Sequence, residues 1–301
     1  MKQKVSLIIF CSVLFYSLST YSQINLLDAQ FFHNRYLANP AMAGLDGGLK
    51  VNLGYRNQWS RIQGAPIDQN FTMDYRKEKV GLGFSMINAK AGEISHTKTY
   101  ATYSYTLQLN DESSRLHFGM NFGVQSVNFN AQNIVGNPND INIGQFNNRK
   151  AILDGDFGFG YSSERFTIDG AIYNMKNQIS QDGSDLMLGA DFNQFYLGTG
   201  YSIPLAEWKI NTKIAYRGIK NFTDLVDFGA ELRTSGNKLG FSSIYHTNKS
   251  ATFGLSYLNK DEWQLLSMYN TVQSPITNAA NGTFEFALQL NVDKFLRKKK
   301  K

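Results

Sequence analysis

From Leu49 to Leu290 the chain alternates apolar and polar residues with a period of two, the repeat of an extended strand whose side chains point to opposite faces. The clearest stretch is RLHFGMNFGVQSVNFN, Arg115 to Asn130. Leu116, Phe118, Met120, Phe122 and Val124 share one face there, and His117, Gly119, Asn121 and Gly123 the other. The same pattern places Leu49, Val51, Leu53 and Tyr55 opposite Lys50, Asn52, Gly54 and Arg56, and Phe71, Met73 and Tyr75 opposite Thr72 and Asp74. It continues through Val80–Met86, Ala101–Leu107, Phe157–Tyr161, Phe166–Ile172, Phe195–Tyr201 and Trp208–Tyr216. Val226–Leu232, Leu239–Tyr245, Phe253–Tyr257, Trp263–Tyr269 and Phe284–Leu290 complete the series. About fourteen strands are predicted, within two. Each runs about 9 to 12 residues, enough to cross a hydrocarbon layer at a tilt, whereas strands of soluble sheets usually have 5 or 6. The polar faces carry Lys, Arg, Asn, Asp, Gln, Thr and Gly, a composition suited to a wet or plugged lumen. The prediction is an all-β, transmembrane antiparallel barrel, residues 49–291, facing lipid rather than a second sheet.

The connections support closure. With a periplasmic N-terminus, the even connections read as short: RKEK near Lys77, NDESS at Asn110–Ser114, SSER at Ser162–Arg165, PLAE at Pro204–Glu207, TSGN at Thr234–Asn237 and NKDE at Asn259–Glu262. The odd ones at Asn57–Pro66, Asn130–Leu153, Asn174–Asp191 and Thr271–Asn281 are longer, with HTNK near His246 the exception. Such alternation predicts an outer-membrane location, an even strand number and both termini in the periplasm. Aromatic residues near strand ends, among them Tyr55 with Trp59, Trp208, Tyr245, Tyr257, Trp263 and Tyr269, predict girdles at headgroup depth. The closing FEFALQL resembles a last-strand signal read by barrel-assembly machinery.

The composition fits this picture. Aromatic residues make up 14% and charged residues 18%, with 26 glycines and 5 prolines. Residues 1–22 combine Lys2 and Lys4 with an apolar run from Val5 to Leu18 and small residues at Thr20 and Ser22, which predicts a secretory signal peptide cut before Gln23. Cys11 is the only cysteine, and Phe10 before it is too large for lipoprotein processing. The exported chain then has no disulfide framework, and a closed backbone hydrogen-bond network must stabilise it instead. Without Lys2 and Lys4 the formal charge falls from +6 to +4. Much of that excess lies in a basic periplasmic tail, residues 292–301, read as a solvated end or as a contact for anionic lipid or an acidic partner. Export excludes nucleic acid.

Residues 23–48, QINLLDAQFFHNRYLANPAMAGLDGG, do not alternate. Leu26, Leu27, Phe31, Phe32 and Leu37 give them too much apolar character for a linker, and a plug or hatch packed in the lumen is predicted. Arg56 and Asp74 are expected inward on adjacent strands, as an ion pair holding that plug or as separately solvated charges. Candidate catalysis is sparse. His33, His96, His117 and His246 are scattered without metal-ligand spacing. Asp74, Asp169, Asp227 and Glu231 fall on inward faces that need polar residues anyway. Gly81-Leu82-Gly83, Gly158-Phe159-Gly160 and Gly198-Thr199-Gly200 do not complete a nucleotide-binding fingerprint and read as strand glycines that admit neighbouring groups. No enzyme, metal or cofactor is expected.

Several motifs carry a family resemblance. Gln30-Phe31, Tyr36-Leu37, Asn39-Pro40-Ala41 and Ala43-Gly44 are followed by Tyr55-Arg56, Gln58-Trp59 and Gly64-Ala65-Pro66. With Gly81-x-Gly83, Asn88 and the stretch Leu107–Val124, this is similar to the PorP/SprF family of the type IX secretion system; Ala89 stands where the family pattern places an Asp. The resemblance implies a non-enzymatic outer-membrane barrel that assists secretion or surface attachment of cargo, including adhesins used in gliding motility. It implies as partners the periplasmic ring and peptidoglycan-binding components, cargo with a type IX C-terminal signal, and outer-membrane lipid. Asn39, Pro40, Ala41 and Gly44 become plug or interaction residues, Arg56 and Asp74 lumen residues, and Trp59 and Pro66 loop anchors. An alternative is a channel for small hydrophobic solutes, since an Asn-Pro-Ala hatch is also reminiscent of the fourteen-stranded fatty-acid transporter family.

Overall fold

The computed structural model describes residues 30–109, 113–130, 141–148, 151–176, 193–219, 223–234, 236, 238–271 and 280–297. The expected signal peptide, Leu26 and Leu27, the middle of three long connections and the last four lysines lie outside these residues.

Fourteen antiparallel strands close into one barrel. They are β1 (Gly48–Gln58), β2 (Ile67–Lys77), β3 (Val80–Ala91), β4 (Ile94–Gln108), β5 (Arg115–Phe129), β6 (Ile152–Ser162) and β7 (Phe166–Ile172). The second half comprises β8 (Asn193–Pro204), β9 (Trp208–Ile219), β10 (Leu225–Thr234), β11 (Leu239–His246), β12 (Ala251–Asn259), β13 (Trp263–Asn270) and β14 (Thr283–Asn291). Each strand pairs with its sequence neighbours, and β1 closes on β14 from Lys50↔Asn291 to Gln58↔Thr283. No sheet edge is left over, so the ladder satisfies backbone polar groups where no water can.

The burial pattern is inverted relative to a soluble domain. Asn52, Arg56, Thr72, Asp74, Thr102, His117, Asp169, Arg217, Asp227 and Glu231 are buried, while Leu53, Phe84, Phe122, Leu153, Phe253, Leu255 and Phe286 are exposed. An exposed apolar surface of this extent is stable only against hydrocarbon. The aromatic positions near the strand ends are exposed in the same way: Trp208 and Tyr257 at one end, Tyr245 and Tyr269 at the other.

Strand lengths and connections depart from expectation in places. β4 and β5 reach 15 residues each, whereas β7 has 7. β7 stops early because the chain turns into the lumen. Asn174 takes φ 53° and is buried, its N–H donates to Asp156 at 2.9 Å, and the Lys176 N–H donates to Asp154 at 3.0 Å. The short connection at His246 is joined by two more on the same side, residues 92–93 and 220–224. The β5–β6 connection contains a helix, α2 (Ile141–Asn147), and Asn147 exchanges two hydrogen bonds with Phe129. Residues 292–297 of the expected tail form a helix, α3 (Val292–Arg297), instead of continuing as coil.

Candidate functional site

Residues 30–47 enter the barrel and lie against its inner wall. Three short pieces follow one another: a 3-10 turn at Gln30–Phe32, the helix α1 (Arg35–Ala38) and a second 3-10 turn at Pro40–Met42. The sequence dictates this segmentation. Asn34 caps α1 by accepting from the Leu37 N–H, and Asn39 caps the second turn by accepting from the Ala41 N–H at 2.9 Å, with Pro40 where its missing N–H costs nothing.

The wall receives the segment in a row of small residues. Gly81, Ser104, Gly119, Gly158 and Ala171 are successive register partners across β3 to β7, all on the inward face. At Gly119 an added Cβ would collide with the Pro40–Ala41 peptide, and at Gly158 with the Asn39 side chain. Glycine there permits backbone-to-backbone approach. The Gly-x-Gly pairs Gly81-Leu82-Gly83 and Gly158-Phe159-Gly160 thus form a cradle: Tyr36 stands over Gly83, Met42 over Gly160 and the Ala43 carbonyl over Gly81.

Polar groups fix the register of segment on wall. Asn39 is fully buried, and its amide donates to the carbonyls of Phe159 at 2.9 Å and Gly170 at 3.0 Å. Ser104 donates to the Ala43 carbonyl at 2.8 Å, and the Gly44 N–H donates to Asp74 at 2.8 Å. Gly44 takes φ 73°, a left-handed conformation that turns the chain out towards β1. The Thr102 hydroxyl donates to Asn121 at 2.6 Å, so the Tyr36 hydroxyl, 2.5 Å away, is its donor. Burial pushes the Tyr36 phenol up to about 12 and keeps it protonated. Tyr173 donates to the Ala38 carbonyl, and Arg35 lies 3.7 Å from Asp169.

The start of the described segment reaches the opposite wall. Phe32 packs on Ala171, Tyr196, Ala215 and Ile244, where two alanines leave room for its ring. His33 meets Glu231 at 3.4 Å, and its Nδ1 accepts from Arg233 at 3.2 Å and from Gln264 at 3.1 Å. A guanidinium only donates, so Nδ1 carries no proton. Burial, with the Glu231 carboxylate opposing and Arg233 reinforcing, lowers the His33 pKa to about 4. The segment therefore bridges the lumen from β3–β7 to β10 and β13.

Arg56 and Asp74 face inward but do not meet. The register pairs Arg56 with Asp68 and Lys50 with Asp74, which separates the two along β1 by about 20 Å. Arg56 lies 4.0 Å from Asp68, and Asp74 binds the Gly44 N–H. Of the two expected arrangements the Arg56–Asp74 ion pair is not formed: the two charges are separate, one in a wall pair and the other in contact with the segment. Trp59, at φ 48°, opens the β1–β2 connection. Its carbonyl accepts from the Ile62 N–H, and the Pro66 carbonyl accepts from the Gln58 N–H.

One constellation escaped the sequence because its members come from separate strands. His246 Nδ1 lies 2.6 Å from Asp227, and its Nε2 lies 2.9 Å from the Thr252 hydroxyl, the geometry of an acid–imidazole–hydroxyl relay. Asp227 also binds Arg217 at 2.6 Å, and Thr252 accepts from Asn270 at 2.8 Å. Every member of the relay is buried, and the side chains satisfy one another as polar packing of the lumen. Among the described residues no group of His, Cys, Asp and Glu is placed to hold a metal ion.

A family model described as "Type IX secretion system membrane protein PorP/SprF" matches residues 21–290, nearly the whole barrel together with the lumenal segment. The chain belongs to the PorP/SprF family. Family membership makes it a membrane component of the type IX secretion system, and its fold is that of outer-membrane barrels. The Pseudomonas putida toluene transporter TodX aligns with a TM-score of 0.51 at 8% identity, over 86% of this chain and 94% of that one. The CymD monoaromatic hydrocarbon channel aligns at 0.50 and 11%, over 85% and 91%. The Ralstonia pickettii toluene transporter TbuX aligns at 0.50 and 10%, over 84% and 92%. At such identities the likeness is one of fold. No curated protein sequence matches the chain. The wall residues Ser104, Thr102, Arg233 and Gln264, which hold the segment in this PorP/SprF protein, carry no local motif; their only sequence signal is an inward position in an alternating strand.

Proposed function

We propose that this PorP/SprF protein is a non-enzymatic barrel with both termini in the periplasm, which assists secretion or surface attachment of type IX cargo, such as a gliding adhesin. In this reading it binds proteins of the secretion machine, among them periplasmic ring and peptidoglycan-binding components, and cargo bearing the type IX C-terminal signal. One observation carries the reading: the lumen holds a segment of the chain itself, bonded to both walls. Such a barrel is suited to presenting docking surfaces at its ends, with the short turns on one side and the long connections on the other. The competing reading, a channel for small hydrophobic solutes, draws on the fold shared with hydrocarbon channels, but a lumen bridged by buried polar contacts does not favour passage of an apolar solute.

Deleting residues 24–44 is the test. The barrel should still assemble, because its fourteen strands close on one another without the segment, while cargo no longer reaches the surface. Normal surface display by the deletant would overturn the docking role. Solute-specific flux through the purified full chain in liposomes would favour the channel.

A further inference from the structure

We propose that the end of the lumen bearing the short turns holds a docking site for an acidic peptide segment of a partner protein, built on Arg76 and Arg115 and extended by Lys77 and Lys79. The site rests on the docking role stated above and gives the partner its chemistry. Arg76 is the penultimate residue of β2 and Arg115 the first of β5. Arg76 shares the inward face of β2 with Thr72 and Asp74, and Arg115 that of β5 with His117 and Gly119. Arg76 also begins the row that becomes the cradle. Its register partner is Gly81, followed by Ser104 and Gly119, and Arg115 lies four residues before Gly119, towards the turns.

Neither guanidinium meets a carboxylate. Arg76 donates from Nε to the Glu78 carbonyl at 2.8 Å and from Nη1 to the Leu45 carbonyl at 3.4 Å, and the Arg115 side chain makes no hydrogen bond or ion pair among the described residues. The two nevertheless lie within electrostatic range of each other, and both, with Arg35 of the segment, within range of the buried His117. His117 offers them nothing, because its ring nitrogens are engaged by Thr106 at 3.0 Å and Ser162 at 2.8 Å. The acids nearby are engaged as well: Asp74 accepts from the Gly44 N–H, Asp46 pairs with Lys50, and Asp169 faces Arg35. The wall between the two arginines presents Gly81, Ser104 and Thr106, which carry no charge. In the β2–β3 turn Glu78 is exposed between the exposed Lys77 and Lys79.

The contrast lies at the same end of the lumen, in a polar cavity of about 660 Å³ lined by His33, Lys50, Lys209, Glu231, Arg233 and Lys294 among others. There Arg233 binds Glu231 at 2.9 Å, Lys294 binds Asp261 at 3.1 Å and Lys50 binds Asp46. Cations on that side are matched within the chain, and those around Arg76 and Arg115 are not. Like charges held together without a counter-charge repel, and an incoming anion relieves that cost. A guanidinium fork fits a carboxylate in two parallel hydrogen bonds, and clusters of arginine recognise acidic motifs in this way. The inward position keeps Arg76 and Arg115 away from headgroups outside the ring. Lys77 and Lys79 carry the positive surface onto the turn, which makes it longer than one small oxyanion and suited to an extended chain presenting an acid about every 7 Å along one face.

The test is fluorescence anisotropy of a fluorescein-labelled hexaglutamate peptide added to the full chain in phosphatidylcholine nanodiscs at low salt. Binding should saturate and weaken as salt is added. Arg115→Gln, which gives up no contact within the fold, should weaken it about tenfold, and Arg76→Gln by a similar factor. Arg115→Lys, which keeps the charge and loses the fork, should recover part of that loss. Arg165→Gln, at an exposed position of the same end, should change affinity by less than about twofold. Heat-modifiable gel mobility reports the fold of each variant, and Arg115→Gln carries the test even where Arg76→Gln fails to assemble. No saturable binding, equal affinity of Arg115→Gln and the parent, equal losses in Arg115→Gln and Arg165→Gln, or displacement of the peptide by an equal concentration of inorganic phosphate would each overturn the proposal. Surface display by the 24–44 deletant is read separately, so failure of the acidic site and failure of the docking role are told apart.

Discussion

The cradle for the lumenal segment is tested most sharply by Gly119→Ala, a change of one methyl group. The added Cβ would overlap the Pro40–Ala41 peptide, which is backbone and cannot rotate away. The neighbouring contacts oppose a shift, since Asn39 is tied to Phe159 and Gly170 and Ala43 to Ser104. Overpacking of a tight site costs about 1 to 3 kcal/mol, and about 1 kcal/mol more for each hydrogen bond given up to relieve it. Because the methyl enters between wall and segment rather than between strands, the strain falls on docking. At 1 to 3 kcal/mol the detached population rises about 5- to 150-fold. Met42, 2% exposed beneath the wall, supplies the reporter: in a Cys11→Ser, Met42→Cys background a bulky maleimide reacts only with detached segment. Gly119→Ala should accelerate labelling by that factor while the folded barrel keeps its heat-modifiable mobility. Gly144→Ala, with nothing near its Cβ, should change neither. Equal labelling of the two variants, or labelling that rises only together with loss of the barrel band, would refute the cradle.

The His33 contact makes docking sensitive to acid. The docked imidazole, faced by Glu231 and Arg233 from β10, Gln264 from β13 and Lys209 from β9 across the cavity, has its pKa lowered to about 4, whereas a released histidine titrates at 6.5. Below 6.5 only the released form takes the proton, so docking stability is full above about pH 7 and falls by up to about tenfold per pH unit down to 4. The Met42→Cys reporter should show this slope, and His33→Asn should flatten it. Asp74 and Asp68 should separate two functions: Asp74→Ala, which removes the acceptor of the Gly44 N–H, should speed reporter labelling with little change in barrel stability, whereas Asp68→Ala, which removes a carboxylate beside the buried Arg56 and the acceptor of the Gln58 amide, should lower the barrel's unfolding temperature without speeding labelling, a loss of about 1 to 3 kcal/mol. Phe122→Arg, at a position 59% exposed in the middle of β5, should cost about 2 to 4 kcal/mol in a bilayer and reduce assembly, as measured by urea titration in liposomes. A Phe122→Arg protein as stable as the parent would mean that this face does not meet hydrocarbon.

The sequence alone determined the strands and their two faces, and their number to within two, because a period of two is local: each side chain's face follows from its position in the pleat. It likewise marked Asn39-Pro40-Ala41 and Gly44 through capping and turn chemistry, which acts over a few residues. Register was not local. Whether Arg56 meets Asp68 or Asp74 depends on where the β1–β2 connection sets the pairing, and six positions of offset carry no signature in either strand. The cradle is likewise a property of closure: Gly81, Ser104, Gly119, Gly158 and Ala171 are spread over ninety residues and become one row only when five strands are aligned. The same holds for Asp227, His246 and Thr252, and for the inward turn at Asn174 that ends β7. Alternation decides which side of the wall a residue occupies, and only the closed barrel decides what stands opposite it across the lumen.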